Sequence, residues 1–314
     1  MPVLATPHGG RTHSSGHRAA LDLIDVSKNY GHVAALTDIN FHVNAGEVVA
    51  LVGDNGAGKS TLVKAMAGAH RIDGGRILLD GSLVAITSPS DASRLGIETV
   101  YQDLALCDNL DVTANLYLGR ETRRQASSFL DQEGMEAHAR DIISDLAAHL
   151  PVLDQPVSAL SGGQRQAIAV SRAALWGSKV VLLDEPTAAL GVAQTAMVYG
   201  LVRKLRDRGL GVVVISHNMA DVFAVADRIC VLRLGRNAGE FSPSESTPDQ
   251  VVAAITGSDA IVGNGSMTGG TVSAPVTKAS GATEPGTSAP NSAALDAPDP
   301  QPSAPGLIDK EYLP

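Results

Sequence analysis

The chain has 314 residues, of which 44% are hydrophobic and 3% aromatic, so aliphatic side chains must build most of any core. A formal net charge of −9 argues against a broad nucleic-acid-binding surface, which needs clustered Lys and Arg. Cys107 and Cys230 are isolated, which excludes a disulfide framework or a cysteine-based metal site. No apolar run is long enough to span a bilayer and the N-terminal residues lack a signal-peptide pattern, so we expect a soluble, cytosolic chain.

Composition divides the chain into three parts. Residues 258–314 contain 9 Ala, 8 Pro, 7 Ser and 7 Gly, and such a segment buries too little apolar surface to offset an ordering cost of about 1–2 kcal/mol per residue. We therefore predict a disordered tail over 258–314, with Leu307-Ile308 as its single apolar point of attachment. Residues 1–20 are predicted to form a flexible N-terminus, which leaves one folded domain over 21–257.

The first predicted elements are short β-rich segments separated by Gly and Asn turns, at 21–27, 33–43 and 76–79. This pattern predicts an antiparallel β portion near the start of the chain. The apolar run 48–52 predicts a buried strand, and the helix formers at 61–67 predict a helix soon after it.

The middle of the chain, 111–150, has helical patterns and no strand patterns, so we predict an α-helical insertion over about 103–175. Beyond it, 179–183 and 211–215 are nearly continuous Val, Leu and Ile, which is typical of strands buried on both faces of a parallel sheet. The helical run between them predicts a right-handed βαβ crossover. The expected fold class is therefore α/β, with a mixed or parallel core sheet, an N-terminal antiparallel β portion and an α-helical insertion.

A nucleoside triphosphate site is predicted where the strand at 48–52 meets the following helix. The residues of this phosphate loop spell G-x-x-x-x-G-K-[ST]: Gly53, Asp54, Asn55, Gly56, Ala57, Gly58, Lys59, Ser60 and Thr61. In this context the glycines allow backbone N–H groups to surround phosphate oxygens, and the helix N-terminus adds partial positive charge. We expect Lys59 to reach the β- and γ-phosphates and the Ser60 hydroxyl to bind Mg²⁺. A plain Gly-rich turn is the alternative, which the strand–loop–helix context disfavours.

Two adjacent acids, Asp184 and Glu185, follow the apolar run 180–183, at the edge of an open α/β sheet where ligands bind. We predict that Asp184 holds Mg²⁺ and that Glu185 polarises the water that attacks the γ-phosphate. A capped helix with an acidic first turn is the alternative, and it is disfavoured by Lys59 in the same chain.

A second phosphate-binding helix end is predicted at residues 160–164. Ser161 is suited to cap the following helix, and Gly162 and Gly163 uncover backbone N–H groups at the positive end of the helix dipole. Gln164 completes the string. An ordinary capped helix is the alternative.

Through these motifs the sequence resembles the ATP-binding-cassette (ABC) ATPase family over nearly all of 21–235. The Walker A and Walker B motifs of that family match 53–61 and 180–185. Its signature motif matches 160–164 without a mismatch, and we call these residues the signature loop.

The resemblance also identifies three single residues. Tyr30 is similar to the aromatic residue that stacks on adenine, and His217 to the switch histidine near the γ-phosphate. Gln102 is similar to the glutamine between the core and the helical insertion, which implies contact with the metal and the attacking water. Alone, each would more often be a packing, surface or capping residue, and their order among the three motifs supports the functional assignment.

The resemblance implies ATP and Mg²⁺ as cofactors and a head-to-tail homodimer or heterodimer of cassettes. Each ATP would lie between the phosphate loop of one cassette and the signature loop of the other. Gln102 and the helical insertion would then pass motion to a transmembrane permease. In one departure, Gly191 stands where the family usually has an Asp, which removes a carboxylate that helps to connect the two active sites and leaves the catalytic groups in place.

The residues in and around these motifs resemble those of bacterial importers of simple sugars, the ribose, xylose and fructose group. The chain has a single set of motifs, which fits the fructose-type importers that have one cassette per chain. This implies a peripheral subunit on the cytoplasmic face of the cell membrane, in a complex with a permease and an extracytoplasmic sugar-binding protein, and no nucleic acid. The alternative is a non-transport ABC ATPase that acts on ribosomes or DNA, disfavoured because a second cassette and basic segments are missing. A small-molecule kinase would have no use for the signature loop.

Overall fold

The structure is a computed structural model that describes residues 19–124, 128–146, 153–188 and 190–258. The predicted flexible N-terminus lies outside the described residues except for its last two, and the predicted tail lies outside them except for Ser258. Leu307-Ile308 also lies outside them. The domain boundaries therefore stay predictions.

The described residues form ten strands and eight α-helices. The strands are β1 (Ala19–Tyr30), β2 (Val33–Asn44), β3 (Val48–Val52), β4 (Gly74–Leu79), β5 (Ser82–Val84), β6 (Ile97–Val100), β7 (Val180–Asp184), β8 (Gly211–Ile215), β9 (Arg228–Arg233) and β10 (Arg236–Phe241). The helices are α1 (Lys59–Met66), α2 (Pro89–Arg94), α3 (Val112–Tyr117), α4 (Gln132–Leu146), α5 (Gly162–Leu175), α6 (Val192–Asp207), α7 (Met219–Val225) and α8 (Pro248–Thr256), with a 3₁₀ turn at Val157–Ala159.

The strands form two sheets. One is antiparallel, with the order β2-β1-β4-β5, and the other has the order β10-β9-β3-β8-β7-β6. In the second sheet the strands from β9 to β6 are parallel and β10 is antiparallel to β9. The expected antiparallel portion, mixed core sheet and α/β class are confirmed.

The second sheet is buried on both faces, which explains its aliphatic runs. Every residue of β3 and β8 is buried, because Val49 and Leu51 pack against α1 and the first sheet whereas Val48 packs toward α5 and α6. The neighbouring strands β7 and β8 are parallel and are joined by α6, which forms the predicted βαβ unit. Period-two alternation is lost in such strands because both faces are dry.

Helices α3, α4 and α5 lie between β6 and β7 in the chain. They share a separate small core, to which Leu116, Met135 and Ile168 each contribute one buried side chain from a different helix. This region is therefore a packed helical insertion with its own apolar centre. Within the described residues, the structure has no helix with the length and apolar character needed to cross a membrane.

Candidate nucleotide-binding site

The phosphate loop connects the end of β3 to the start of α1. Gly58 has φ 102° and is the N-cap of α1, without a side-chain cap, so the first N–H groups of this helix have no side-chain acceptor at the cap. A Cβ at Gly58 would lie 2.8 Å from Leu36 Cδ2, and a left-handed φ adds strain for any L side chain. Glycine is thus required here by both backbone conformation and space.

The residues of the phosphate loop differ in exposure. Asp54, Asn55, Gly56 and Ser60 are exposed, Gly53, Gly58, Lys59 and Thr61 are half-buried, and Ala57 is buried. The Ser60 hydroxyl and the mouth of the loop are therefore open to solvent.

The Lys59 ammonium lies across the phosphate loop. Its Nζ donates to the carbonyl oxygens of Gly53, at 2.7 Å, and Asp54, at 3.0 Å. Burial lowers the pKa of Lys59, while the negative charges of Glu185, Asp54 and Asp184 oppose that shift. Anionic phosphates in the loop would favour the charged ammonium further, so this cation is available to a triphosphate.

Asp184 ends β7 on the same edge of the sheet. Burial raises the pKa of this carboxyl and the adjacent Glu185 raises it further, whereas Lys64 and Lys59 lower it. A half-buried carboxylate next to a second acid favours a cation close by. Together with the exposed Ser60 hydroxyl it provides the hard oxygen donors that Mg²⁺ prefers, so these residues fit a magnesium ion bound with substrate phosphates.

Glu185 has a left-handed backbone, with φ 49°. A non-glycine residue in this region carries strain of about 1–3 kcal/mol and persists when its surroundings hold it. Here the Glu185 N–H donates to the Ile215 carbonyl oxygen at the end of β8, at 3.1 Å. Its Oε1 lies 3.3 Å from Nδ1 of His217, which follows β8. The two parallel strand ends thus bring together an acid and a histidine that are 32 residues apart.

Gln102 is exposed and follows β6, whose Val100 pairs with Leu183 of β7. It therefore lies at the same sheet edge as Asp184, and among the described residues no hydrogen bond joins it to either acid. Tyr101, which sequence reasoning missed, has a pKa raised by burial and by the charge of Asp184. Its position between a buried strand and Gln102 was the available sequence signal.

The signature loop leads into α5 and satisfies its own cap. Ser161 Oγ accepts from the Gln164 N–H at 3.3 Å, and Gln164 Oε1 accepts from the Ser161 N–H at 2.9 Å. Ser161 and Gly162 are exposed, whereas Gly163 is buried. A side chain does not fit at Gly163, because an added Cβ would lie 2.9 Å from Gln194 Cγ. No hydrogen bond or ion pair in the described part of the chain joins the signature loop to the phosphate loop.

The sequence is similar to known transport proteins. A family model described as "ABC transporter" matches residues 36–188. The fructose import ATP-binding protein FrcA of Rhizobium meliloti is 48% identical over 212 residues, which cover 66% of this chain and 82% of the relative. The chain belongs to the ABC transporter ATPase family.

Other relatives of this cassette carry related names. The xylose/arabinose import ATP-binding protein XylG of Sulfolobus acidocaldarius is 43% identical over 75% of this chain and 93% of its own length. The ribose import ATP-binding protein RbsA 1 of Burkholderia ambifaria is 36% identical over 79% of this chain, which spans 48% of that relative.

Solved structures support the same fold. A nucleotide-free ATP-binding cassette from an ABC transporter has a TM-score of 0.66 at 23% identity, covering 78% of this chain and 98% of that one. A dimeric bacterial ABC transporter cassette has a TM-score of 0.60 at 25% identity, covering 71% and 98%. This cassette is thus an ATP-binding ATPase of the P-loop class.

Two arginines connect α5, which we call the signature helix because it follows the signature loop, to the segment after Gln102. Arg172 donates to the carbonyl oxygens of Leu104 and Ala105, at 3.4 and 3.1 Å. Arg165 lies 3.4 Å from the Asp108 carboxylate. These contacts bridge about 60 residues of sequence and carry no local pattern, so sequence reasoning missed them.

Proposed function

We propose that this ATPase energises the import of a monosaccharide. The observation that carries the proposal is the 48% identity to a fructose import ATP-binding protein over 82% of that protein's length. Similarity to proteins named for xylose/arabinose and ribose import supports the same substrate class. The shared chemistry is a small polyhydroxylated sugar, and no residue of this chain has to contact it.

The proposed hydrolytic site consists of the groups at the carboxyl edge of the second sheet. Lys59 holds the β- and γ-phosphates, and Ser60, Asp184 and Gln102 would hold Mg²⁺. When bound, Mg²⁺ would neutralise charge on the β- and γ-phosphate oxygens. Glu185 orients and polarises water, which adds its oxygen to the γ-phosphorus as the bond to the bridging oxygen breaks. The products are ADP and inorganic phosphate.

His217 is proposed to position this water through Glu185. The 3.3 Å contact between Nδ1 and the Glu185 carboxylate supports the assignment, as does the left-handed backbone that aims Glu185. Because the histidine side chain is 73% exposed, its ring has room to turn toward a bound γ-phosphate.

Two cassettes are proposed to close around ATP. Ser161, Gly162, Gly163 and Gln164 of one copy would contact the γ-phosphate held by the phosphate loop of the other. Ser161 Oγ already accepts the Gln164 N–H, so its hydroxyl proton remains available to a phosphate oxygen. The similarity to a dimeric cassette supports this arrangement.

The permease is proposed to dock on the helical insertion beside Gln102. The helical insertion has a cavity of about 250 Å³, lined by residues that include Thr113, Tyr117, Leu118, Leu130 and Met135. Leu118 and Leu130 are 46% and 51% exposed, which suits an apolar partner surface. The Arg172 and Arg165 contacts would transmit movement from this surface to the signature helix.

This assignment places the chain at the cytoplasmic face of the membrane, in a complex with an extracytoplasmic sugar-binding protein. Deletion of the chain should abolish ATP-dependent uptake of one or a few monosaccharides by intact cells. Truncation after Gly257 should preserve most uptake, because 258–314 has too little apolar surface for a packed interface.

Co-purification from detergent-solubilised membranes separates the two candidate functions. A polytopic membrane protein should accompany the full-length chain. Recovery of ribosomal particles or DNA without such a protein would instead favour the non-transport ATPase.

A further inference from the structure

The ring of Tyr30, at the end of β1, is held by two neighbours. The His70 ring meets it edge-on, with centroids 5.6 Å apart and an interplanar angle of 79°. The Lys28 ammonium lies over the ring, 5.6 Å from its centroid. One face of the ring is therefore covered by a cation, and Tyr30 as a whole keeps 43% of its surface exposed.

Asp73 fixes the segment that carries these groups. Its Oδ1 accepts from Lys28 Nζ at 2.9 Å and its Oδ2 from the Asn29 N–H at 2.7 Å. The Asp73 N–H returns a hydrogen bond of 2.8 Å to the Ser27 carbonyl oxygen. The hydrogen bond from Lys28, followed by that from Asn29, holds the pKa of Asp73 below its usual range.

The ion pair between Lys28 and Asp73 is unusual for a lysine at the protein surface. The Lys28 side chain is only 14% exposed although it ends in an ammonium group. Exposed ion pairs are weakly held, but here the lysine stem is covered and the carboxylate is shared with a backbone N–H. The ammonium is therefore directed over the ring instead of into solvent.

His70 is in turn connected to the phosphate loop. His70 lies just beyond the end of α1, and its backbone N–H donates to the carbonyl oxygen of Lys64 in that helix, at 3.1 Å. The same helix begins at Lys59. Helix α1 thus sets the phosphate-binding ammonium at one end and the edge contact on the Tyr30 ring at the other.

We propose that Lys28, His70 and Asp73 are positioning residues that hold the Tyr30 ring for a purine base at a fixed distance from the phosphate loop. The inference rests on the proposed role of Tyr30 in the nucleotide site. The base stacks on the ring face opposite Lys28, whose charge polarises the ring. A purine has a larger aromatic surface for stacking than a pyrimidine. The positioned Tyr30 ring therefore favours purine over pyrimidine triphosphates, without distinguishing adenine from guanine.

The test compares a ligand that has a base with one that lacks it. Steady-state ATPase assays of the full-length chain give KM and kcat for ATP, and inorganic tripolyphosphate serves as a competitive inhibitor that occupies the phosphate loop alone. In Asp73→Asn and His70→Ala, KM for ATP should rise about three- to tenfold, the range for losing an aromatic or cation–π contact. The kcat and the inhibition constant of tripolyphosphate should stay unchanged, and His70→Phe should restore the wild-type KM.

Asp80→Asn is the matched control, because the Asp80 carboxylate also pairs with a lysine, Lys179, and is exposed to a similar extent to Asp73, 49% against 39%. Its backbone N–H donates to the Ala20 carbonyl oxygen near the start of β1, at the opposite end of that strand from Tyr30. Asp80→Asn should change none of the three constants. In a Tyr30→Leu background, Asp73→Asn should have no further effect on KM, since its action passes through the ring.

Two results would overturn the proposal. One is an Asp73→Asn effect that persists in Tyr30→Leu or that weakens tripolyphosphate equally. The other is an unchanged KM in Tyr30→Leu itself. Lys59→Ala separates this failure from failure of the whole site, because it should weaken ATP and tripolyphosphate together wherever the base lies.

Discussion

The phosphate loop and the signature loop both precede a helix N-terminus, yet they satisfy it in opposite ways. At α1 the cap is Gly58, which offers no side-chain acceptor. At α5 the Ser161 and Gln164 side chains cap each other's backbone N–H groups. The first helix end therefore has no side-chain cap before a ligand binds, whereas the second has a reciprocal side-chain cap in the isolated chain.

The difference indicates that the two loops have separate roles in nucleotide binding. An uncapped N-terminus gains most from an anion, because its N–H groups and the helix dipole are otherwise unused. The cap hydrogen bonds at an N-terminus such as that of α5 hold the backbone in place before the second cassette binds. We therefore expect nucleotide to bind first to the phosphate loop and the signature loop to join as a preformed surface.

The largest expected effect is on ATP hydrolysis, and it comes from changing Glu185 beside the phosphate loop. Replacing Glu185 by Gln should slow ATP hydrolysis by about 10²–10⁴, the contribution of a positioned general base, and leave ATP binding intact. Steady-state turnover and equilibrium binding of ATP measure the two quantities. Glu136→Gln on α4, a glutamate paired with Arg140 on the same helix, is the control and should be silent. Near-normal turnover in Glu185→Gln would contradict the assignment.

The second prediction breaks the signature loop alone. With hydrolysis blocked by Glu185→Gln, ATP and Mg²⁺ should convert monomer to dimer in light scattering. Adding Ser161→Arg should abolish the dimer by filling the space of the γ-phosphate, without weakening ATP binding to the monomer. Ser90→Arg, at an exposed position on α2, should leave dimerisation unchanged. A dimer that forms equally without ATP would refute this coupling, and a dimer that requires a second cassette protein would make the pairing heteromeric.

A third prediction concerns strain beside the phosphate loop. Because Glu185 has φ 49°, Glu185→Gly should raise the free energy of unfolding by about 0.5–1 kcal/mol, the strain relieved less the extra unfolded-state entropy of glycine. Glu185→Gln removes the same charge but keeps a Cβ, so it isolates the backbone contribution. Urea unfolding of the two variants gives the comparison, and equal stabilities would show that the backbone carries no such strain.

The smallest effect concerns a third helix end, at α6. Gly191 has φ −73° and ψ 163°, which any residue adopts, and provides no side-chain cap. An added Cβ would meet only Gln194 Oε1, at 4.0 Å. Gly191→Asp should therefore stabilise the chain by a few tenths of a kcal/mol, measured by urea unfolding. Gly191→Ala adds a Cβ without an acceptor, so a gain of the same size in that variant would exclude capping as the cause.

The candidate site residues that the sequence indicated lie in contiguous segments. The phosphate loop, the two acids at the end of β7 and the cap at Ser161 each occupy a short stretch whose chemistry can be deduced locally. The proximity of the phosphate loop to Asp184 and Glu185 followed from the rule that ligands bind at the carboxyl edge of parallel strands. The fold class could be predicted because the aliphatic runs of β3, β7 and β8 are long enough to indicate burial on both faces.

The contacts that could not be predicted join distant segments. Asp73 reaches Asn29 across 44 residues, and Arg172 reaches Ala105 across 67. Neither pair forms a periodic pattern, and an exposed aspartate or a helix arginine has many possible partners. The left-handed backbone of Glu185 also escaped prediction, because glutamate has no preference for that conformation and its N–H is bonded to Ile215, 30 residues away in the chain.

The two cysteines have a practical consequence. Cys230 is buried in β9 and burial raises its pKa to about 12, so it does not react with thiol reagents in the folded chain. Cys107 is partly exposed and lies between Gln102 and α3, where Asn115 holds its backbone N–H and carbonyl groups at 2.7 and 3.0 Å. A maleimide fluorophore added to the unmodified protein will therefore label one position, and its emission will report, in real time, how the helical insertion responds to each nucleotide.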